Sequence, residues 1–322
     1  MNIVSALKSR LPGGTLYNDL VKWSKCRTSK DNPFETALVT KSKEYASKMF
    51  WKTGKNKCYW ESVYIKDIYD IMCDLFTYTA QQNCFDFNGI KIPKPISDKD
   101  ICLFVDEARD LLFPHITNNR EFCELYYVEG PYESDSIRIL PDDVVIDCGA
   151  NIGLFSAAAS YKGATVYAFE PSDATIDSYT SKTAKFNPNI HICKYALFNK
   201  CGVMEFTCDD DENIGASHLS SLNTDKTAQS QIQMVQAITL DEFVNDNNIS
   251  KVDFIKADIE GAERYMLEGA KQVLKEFAPK LSICTYHLPD DPEVLRKIII
   301  EANSDYTIEK GRYKMYAYCL KR

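Results

Sequence analysis

The amino-acid sequence predicts an α/β fold: a mostly parallel sheet covered by helices on both faces, with a reversed terminal strand. Three observations predict it. From about residue 140 onward, apolar strand-like runs alternate with helix-like segments, as parallel strands joined by crossovers do. A glycine-rich turn, Gly149-Ala150-Asn151-Ile152-Gly153, follows directly on the first of these runs. Residues 306–309 and 314–320 flank Gly311 like the arms of an antiparallel hairpin.

Before that region, Tyr64, Ile68, Ile71, Leu75 and Tyr78 recur at three- and four-residue steps and predict an amphipathic helix over 61–80. The period then changes. In Phe85-Asp86-Phe87-Asn88-Gly89-Ile90-Lys91-Ile92, two alternating runs flank Asn-Gly, whose residues tolerate the positive φ of a two-residue hairpin. Pro93 and Pro95 close that unit, and Ser97 with Asp100 forms a capping box for a helix that turns Ile101, Phe104, Ala108 and Leu111 inward. Residues 1–118 therefore form a mainly helical accessory region, and 119–322 the α/β domain. Within that domain strands are expected at 144–147, 165–169, 190–197, 252–257 and 281–286. Helices are expected from the glycine turn through Ala159 and at 173–186, 261–277 and 292–302, the last capped by Asp291 with Pro292 at its first position. The C-terminal hairpin puts a reversed strand at the sheet edge. Residues 202–222 are polar and read either as a lid over the acceptor or as a solvated hairpin.

At 322 residues, 36.7 kDa and 45% apolar, the chain suffices for one large domain or two unequal ones at roughly 100–200 residues each. Collagen, coiled coil and disorder are excluded. No run of about 18 uncharged apolar residues occurs, and Lys8 and Arg10 stand where a secretory apolar stretch belongs, so a cytoplasmic location is expected. The 12 cysteines include no C-x-x-C pair, and Cys193, Cys201 and Cys208 match neither zinc nor disulfide spacing, so most read as small buried apolar residues. The net charge of −8 is unevenly spread: residues 1–60 carry twelve basic against four acidic side chains, a net +8, which leaves −16 for the remainder. Two readings of this basic arm stay open, a solvated helical face or a contact with an anionic membrane surface, a pyrophosphate-linked glycan carrier or a partner enzyme. The acidic body opposes a phosphate backbone, so no nucleic-acid partner is expected.

Ligands of an open parallel sheet bind beyond the carboxyl ends of its strands, where the strand order reverses. The first strand ends in Asp147-x-Gly149-x-Asn151-x-Gly153, whose glycines admit a close backbone approach and whose following helix offers free N–H groups. Glu170 ends the second strand, 21 residues beyond Gly149, where a carboxylate accepts hydrogen bonds from both ribose hydroxyls. These features predict a nucleoside cofactor. A dinucleotide loop reads G-x-G-x-x-G with its central glycine making room for pyrophosphate. Here Asn151 sits in the middle of a shorter G-x-N-x-G, which crowds a pyrophosphate and suits S-adenosylmethionine.

The segments Val144-Val145-Ile146-Asp147-Cys148-Gly149-Ala150-Asn151-Ile152-Gly153, Ala168-Phe169-Glu170-Pro171 and Ile255-Lys256-Ala257-Asp258-Ile259-Glu260-Gly261-Ala262-Glu263, followed by Leu267-Glu268-Gly269-Ala270, resemble the FkbM family of S-adenosylmethionine-dependent methyltransferases. Glu129-Gly130-Pro131-Tyr132-Glu133 and Tyr286-His287 are similar to it as well, so the resemblance spans about residues 120–300. It implies a class I methyltransferase (Rossmann-like) fold and O-methylation, most commonly of sugars or other hydroxyl-bearing natural products. Carried over by position, Gly149, Asn151 and Gly153 line the methionine end of the cofactor and Glu170 holds the ribose. Asp147, Ala150, Pro171 and Asp258 complete the implied cofactor contacts, and Asp258 and Glu260 stand where the acceptor enters.

Methyl transfer to an alcohol is an in-line displacement by a poor nucleophile, so the enzyme aligns oxygen, carbon and sulfur and supplies a base. Asp258, Glu260 and His287 are the candidates, His287 because its ordinary titration lies nearest neutral pH. Glu260 and Glu263 have a rival role as caps of a helix N-terminus. The sulfonium is already activated, so no metal is expected. A metal alternative pairs Asp258 with Asp290 or Asp291, which read more simply as helix caps. The expected acceptor is a sugar hydroxyl of a surface polysaccharide or other glycan. The alternatives are a polyketide-type small molecule and a cofactor-binding, non-catalytic partner of a glycosyltransferase.

Overall fold

The computed structural model describes residues 76–87, 89–94, 108, 111, 131–208, 218–219, 231–311 and 313–320. Three short antiparallel strands come first: β1 (Phe76–Thr79), β2 (Cys84–Phe87) and β3 (Ile90–Pro93). The expected hairpin is present, with Phe87 opposite Ile90 and Gly89 at φ +101°. The helix expected over 61–80 is corrected at its end. Phe76–Thr79 is a strand paired with β2, because aromatic and β-branched residues suit a pleated surface and Tyr78 packs on Phe85 with ring centroids 5.8 Å apart. Ala108 is helical and fully buried. Residues 61–75, the Ser97 capping box and the basic arm lie outside the described residues.

The main domain begins with β4 (Val144–Cys148), α1 (Leu154–Tyr161) and β5 (Thr165–Phe169), as expected. Next comes α2, in which Asp173–Thr175 and Ser181–Phe186 are joined by a π-helical turn, Ile176–Thr180. The strand expected over 190–197 divides. Its first part, β6 (Ile190–Cys193), joins the main sheet, and β7 (Ala196–Leu197) enters a second sheet with β8 (Gly202–Cys208), β9 (His218–Leu219) and β10 (Gln231–Ile238). That second sheet, ordered β7-β10-β8-β9, was not expected, and it takes up residues 202–208 and 218–219 of the polar segment. The chain continues through α3 (Leu240–Asp246), β11 (Phe254–Ala257), α4 (Glu263–Glu268), α5 (Lys271–Glu276), β12 (Lys280–Cys284), α6 (Asp291–Ala302), β13 (Tyr306–Lys310) and β14 (Lys314–Cys319). The single helix expected over 261–277 breaks at Gly269, where a Cβ would stand 2.2 Å from the Phe198 carbonyl oxygen.

The main sheet runs β13-β14-β12-β11-β4-β5-β6. Strands β12, β11, β4, β5 and β6 are parallel neighbours, and β14 is antiparallel to both β12 and β13. The reversed strand is thus present, but second from the edge, because β13 lies outside it. The order reverses between β4 and β11, so their carboxyl ends form the switch point where such sheets bind ligands. Both faces are covered. Ile146, Phe169, Ile255 and Ile283 pack with Leu267, Leu274 and Leu295 on one side; Val145, Val166 and Phe254 pack with Phe155 and Ala159 on the other. Each of these Val, Ile, Leu and Phe side chains contributes about 1.5–3 kcal/mol on burial. Cys84, Cys148, Cys193 and Cys284 are buried and unbridged, as expected of small apolar residues, whereas Cys201 is exposed. Among the described residues no helix is long and apolar enough to cross a membrane.

Candidate active site

The floor of the site is a buried ion pair. Asp147 on β4 and Lys256 on β11 lie opposite each other in the parallel register and on the same face of the sheet. Lys256 Nζ sits 3.1 Å from Asp147 Oδ1, and Ser156 of α1 donates to Asp147 Oδ2 at 2.6 Å. Lys256 also donates to the carbonyls of Cys148 (3.3 Å) and Gly149 (2.7 Å). Burial works against the charge on Lys256, but Asp147 and Asp258 outweigh it and hold the ammonium charged. Asp147 is fully buried and holds Lys256, which in turn holds the glycine loop.

That loop is pinned from every side. Gly149 N and Ala150 N donate to Phe169 O at 3.1 and 2.9 Å. Thr180 and Thr183 of α2 donate to the carbonyls of Asn151 and Ile152, both at 2.7 Å. Gly149 has φ +79°, and a Cβ there would lie 2.1 Å from the Asp258 carbonyl oxygen, so the glycine lets the β4 and β11 loops touch. Gly153 begins α1 at φ +85° against Thr183. Ala150 packs into the core. Glu170 is buried and accepts from the backbone N–H groups of Asn151 (3.1 Å) and Ser172 (2.9 Å). Burial pushes its carboxyl up to about 7, even though both N–H groups pull the other way. Gln233 of the second sheet donates to Pro171 O at 3.4 Å and accepts from Asp173 N at 3.3 Å, bracing the far side of this turn. Asn151 Oδ1 is buried with no hydrogen-bond partner. A buried carboxylate with lone pairs to spare beside an unpartnered amide oxygen is an acceptor set. It fits a ligand rich in hydroxyl and ammonium donors, as S-adenosylmethionine is, better than a phosphate.

Across from this loop, Asp258 follows β11. Tyr132 donates to its Oδ2 at 2.6 Å and Tyr286 to its Oδ1 at 3.2 Å. Two cations lie over the Tyr132 ring, with Lys314 Nζ 4.3 Å and Lys256 Nζ 5.3 Å from its centroid. Burial raises the Asp258 pKa, but Lys256, Lys314, His287 and the Tyr132 hydroxyl together hold it at about 2. Asp258 is therefore a firm hydrogen-bond acceptor and a weak base. His287 follows β12. Its Nδ1 lies 3.1 Å from Glu263 Oε1, and its Nε2 lies 3.5 Å from Glu260 Oε2 and 3.7 Å from Asp258 Oδ1. Burial opposes the imidazolium, but Glu263 first, then Asp258 and Glu260, raise its pKa to about 9, so it is protonated at neutral pH. The structure thus gathers Asp258, Glu260 and His287 in one cluster, with the imidazole starting charged rather than as the expected neutral base.

The metal alternative through Asp290 or Asp291 is corrected. Arg264 Nη2 binds Asp290 Oδ1 at 2.7 Å and Asp291 Oδ1 at 2.6 Å, and Asp291 Oδ2 accepts from Leu288 N. The N-cap position of α6 is Asp290 rather than Asp291, with no side-chain cap bond. Sequence reasoning missed Tyr132, Tyr286, Lys314 and Lys256 as site residues. Tyr132 and Tyr286 lie in segments that carry the family resemblance, and Lys256 carried a physical signal: a lysine inside Phe254-Ile255-Lys256-Ala257, a run buried on both faces, requires a buried anionic partner.

Residues 147–310, half of the chain, match the Methyltransferase FkbM domain family. The chain is 29% identical over 183 residues to the hexuronic acid methyltransferase AglP of Haloferax volcanii, covering 55% of this chain and 72% of that protein. It is 24% identical over 171 residues to the 31-O-demethyl-FK506 methyltransferase FkbM of Streptomyces tacrolimicus, covering 45% and 66% respectively. A crystal structure of methyltransferase FkbM from Methylobacillus flagellatus overlays with a TM-score of 0.43 at 21% identity, over 80% of this chain and 60% of that one.

Proposed function

Because the chain belongs to the FkbM methyltransferase family, whose methyl donor is S-adenosylmethionine, we propose that it methylates a hydroxyl oxygen on a sugar of a glycan. The observation that carries this reading is the contact between the two loops. Asp258, an ionised acceptor braced by two tyrosine hydroxyls, lies directly against the glycine loop that would hold the cofactor. An acceptor hydroxyl donating to Asp258 is thereby oriented toward that loop.

When bound, S-adenosylmethionine supplies an electrophilic methyl carbon on a sulfonium. Glu170 would accept from its ribose hydroxyls, and Asn151 Oδ1 from one of its donors. Asp258, too acidic to remove a proton, fixes the acceptor oxygen. The cofactor would supply the methyl for the new C–O bond and would keep the C–S electron pair on its sulfur. The hydroxyl proton passes to Glu260, whose side chain is 36% exposed beside His287 and so opens a route for that proton to solvent.

The sugar reading rests on the similarity to a hexuronic acid methyltransferase. Its test is incubation of the purified chain with methyl-labelled S-adenosylmethionine and a panel of uronic-acid and neutral glycans. Label in an alkali-stable methyl ether supports the reading, and label only in a macrolide-type acceptor replaces it with a second one, favoured by the similarity to the FK506-modifying relative. The basic arm, residues 1–60, is proposed on charge alone to contact an anionic surface. Salt-independent or absent binding to anionic vesicles would remove that role.

A further inference from the structure

Asp258, Glu263 and His287 each offer one metal-ligating atom, and these atoms all lie within 4.8 Å of one another. The cluster is held by three fixed points: the end of β11, the start of α4 and the end of β12. Between them the chain turns through Glu260 at φ +54° and Gly261 at φ +92°, which brings Asp258, Glu260 and Glu263 around one imidazole. Glu263 is 0% exposed, and Ile259 N donates to its Oε1 at 2.8 Å. Its second oxygen, Oε2, is buried with no hydrogen-bond partner. A buried carboxyl oxygen without a partner is costly, and a ligated cation is one arrangement that would satisfy it. His287, 7% exposed in its side chain, lies against three carboxyl groups, those of Asp258, Glu260 and Glu263. Arg264 engages Asp290 and Asp291, so those carboxylates are held apart from the cluster.

We propose that Asp258, Glu263 and His287 bind a divalent transition-metal cation, the imidazole releasing a proton to water as its nitrogen ligates the ion. One imidazole with carboxylate oxygens suits Mn2+, Fe2+ or Zn2+ better than Ca2+. The binding claim stands on the cluster. Its consequence rests on the hydroxyl reading above, since a cation beside Asp258 polarises an acceptor oxygen and eases loss of its proton.

The test uses the full chain stripped with a chelator and desalted. Mn2+ binding is followed by electron paramagnetic resonance and Zn2+ binding by calorimetry. One ion per chain is expected, weakened about tenfold or more in Glu263→Gln and in His287→Asn. The Glu263→Gln variant keeps an acceptor for Ile259 N, and unchanged binding of S-adenosylmethionine certifies the fold of each variant. No stoichiometric ion in the parent chain, or equal binding in folded variants, overturns the proposal. Failure to label any hydroxyl acceptor overturns the hydroxyl reading instead, and leaves the metal titration to be judged by itself.

Discussion

Glu170 predicts a pH-dependent grip on the cofactor. Its carboxyl sits at about 7 in the folded chain, against an ordinary 4.5, because burial outweighs the hydrogen bonds from Ser172 and Asn151. A carboxylate that accepts from two ribose hydroxyls must be ionised, so below its pKa each binding event releases one proton. The apparent Kd for S-adenosylmethionine should therefore weaken about tenfold, or about 1.4 kcal/mol, between about pH 8 and about pH 6. Calorimetry in buffers of different ionisation enthalpy measures both the affinity and the proton released. Glu170→Gln should bind more weakly by about 1.5–3 kcal/mol, as for a hydrogen bond to a charged group, and its affinity should lose this slope. A flat profile in the parent chain, or the same slope in the variant, refutes the ribose role. Stability without ligand carries the opposite sign. The folded state holds this proton more tightly than the unfolded one, so Glu170 favours folding below about pH 4.5, and up to about 3 kcal/mol of that is lost as pH rises through about 7.

Replacing Lys256 by Met strands the buried Asp147 carboxylate and should destabilise the fold by about 3–5 kcal/mol in urea unfolding, whereas Lys256→Met combined with Asp147→Leu should recover part of the loss. Equal effects of the single and double changes would show that the pair is not coupled. Gly149→Ala drives a methyl to 2.1 Å from Asp258 O and forces φ +79° on a residue with a Cβ, so cofactor binding should fall below detection in any folded fraction. Retained binding would mean that the two loops separate freely. Tyr132→Phe removes the 2.6 Å donor to Asp258 and should slow transfer by about 1–3 kcal/mol in kcat while cofactor Kd holds; a rise in Kd alone would move Tyr132 to the cofactor side.

Much of the α/β domain was legible because local rules and tertiary environment agree there. Val144–Cys148, Thr165–Phe169 and Lys280–Cys284 are apolar runs that a doubly covered sheet requires, and they end at the residues that line the switch point. Phe76–Thr79 was read as helix because its apolar spacing continued a helical stripe, and cross-strand pairing with Cys84–Phe87 overrode it. Gln231–Ile238 went unread although its buried Val235 and Ala237 alternate with exposed Ile232, Met234 and Gln236, because its partners lie in Gly202–Cys208 across a long polar segment.

By itself the sequence determined which segments become strands and helices of the main sheet, where its loops carry acids and glycines, and the family those motifs belong to. These depend on short-range periodicity and backbone preference, which a linear reading contains. Only the tertiary structure decided what the acids do. Parallel register set Lys256 beside Asp147, and folding brought Tyr132 to Asp258 across 126 positions of chain. Glu260 and Glu263 closed on His287. Ionisation follows distance and burial rather than residue type, so the same carboxyl chemistry stands at about 2 in Asp258 and about 7 in Glu170.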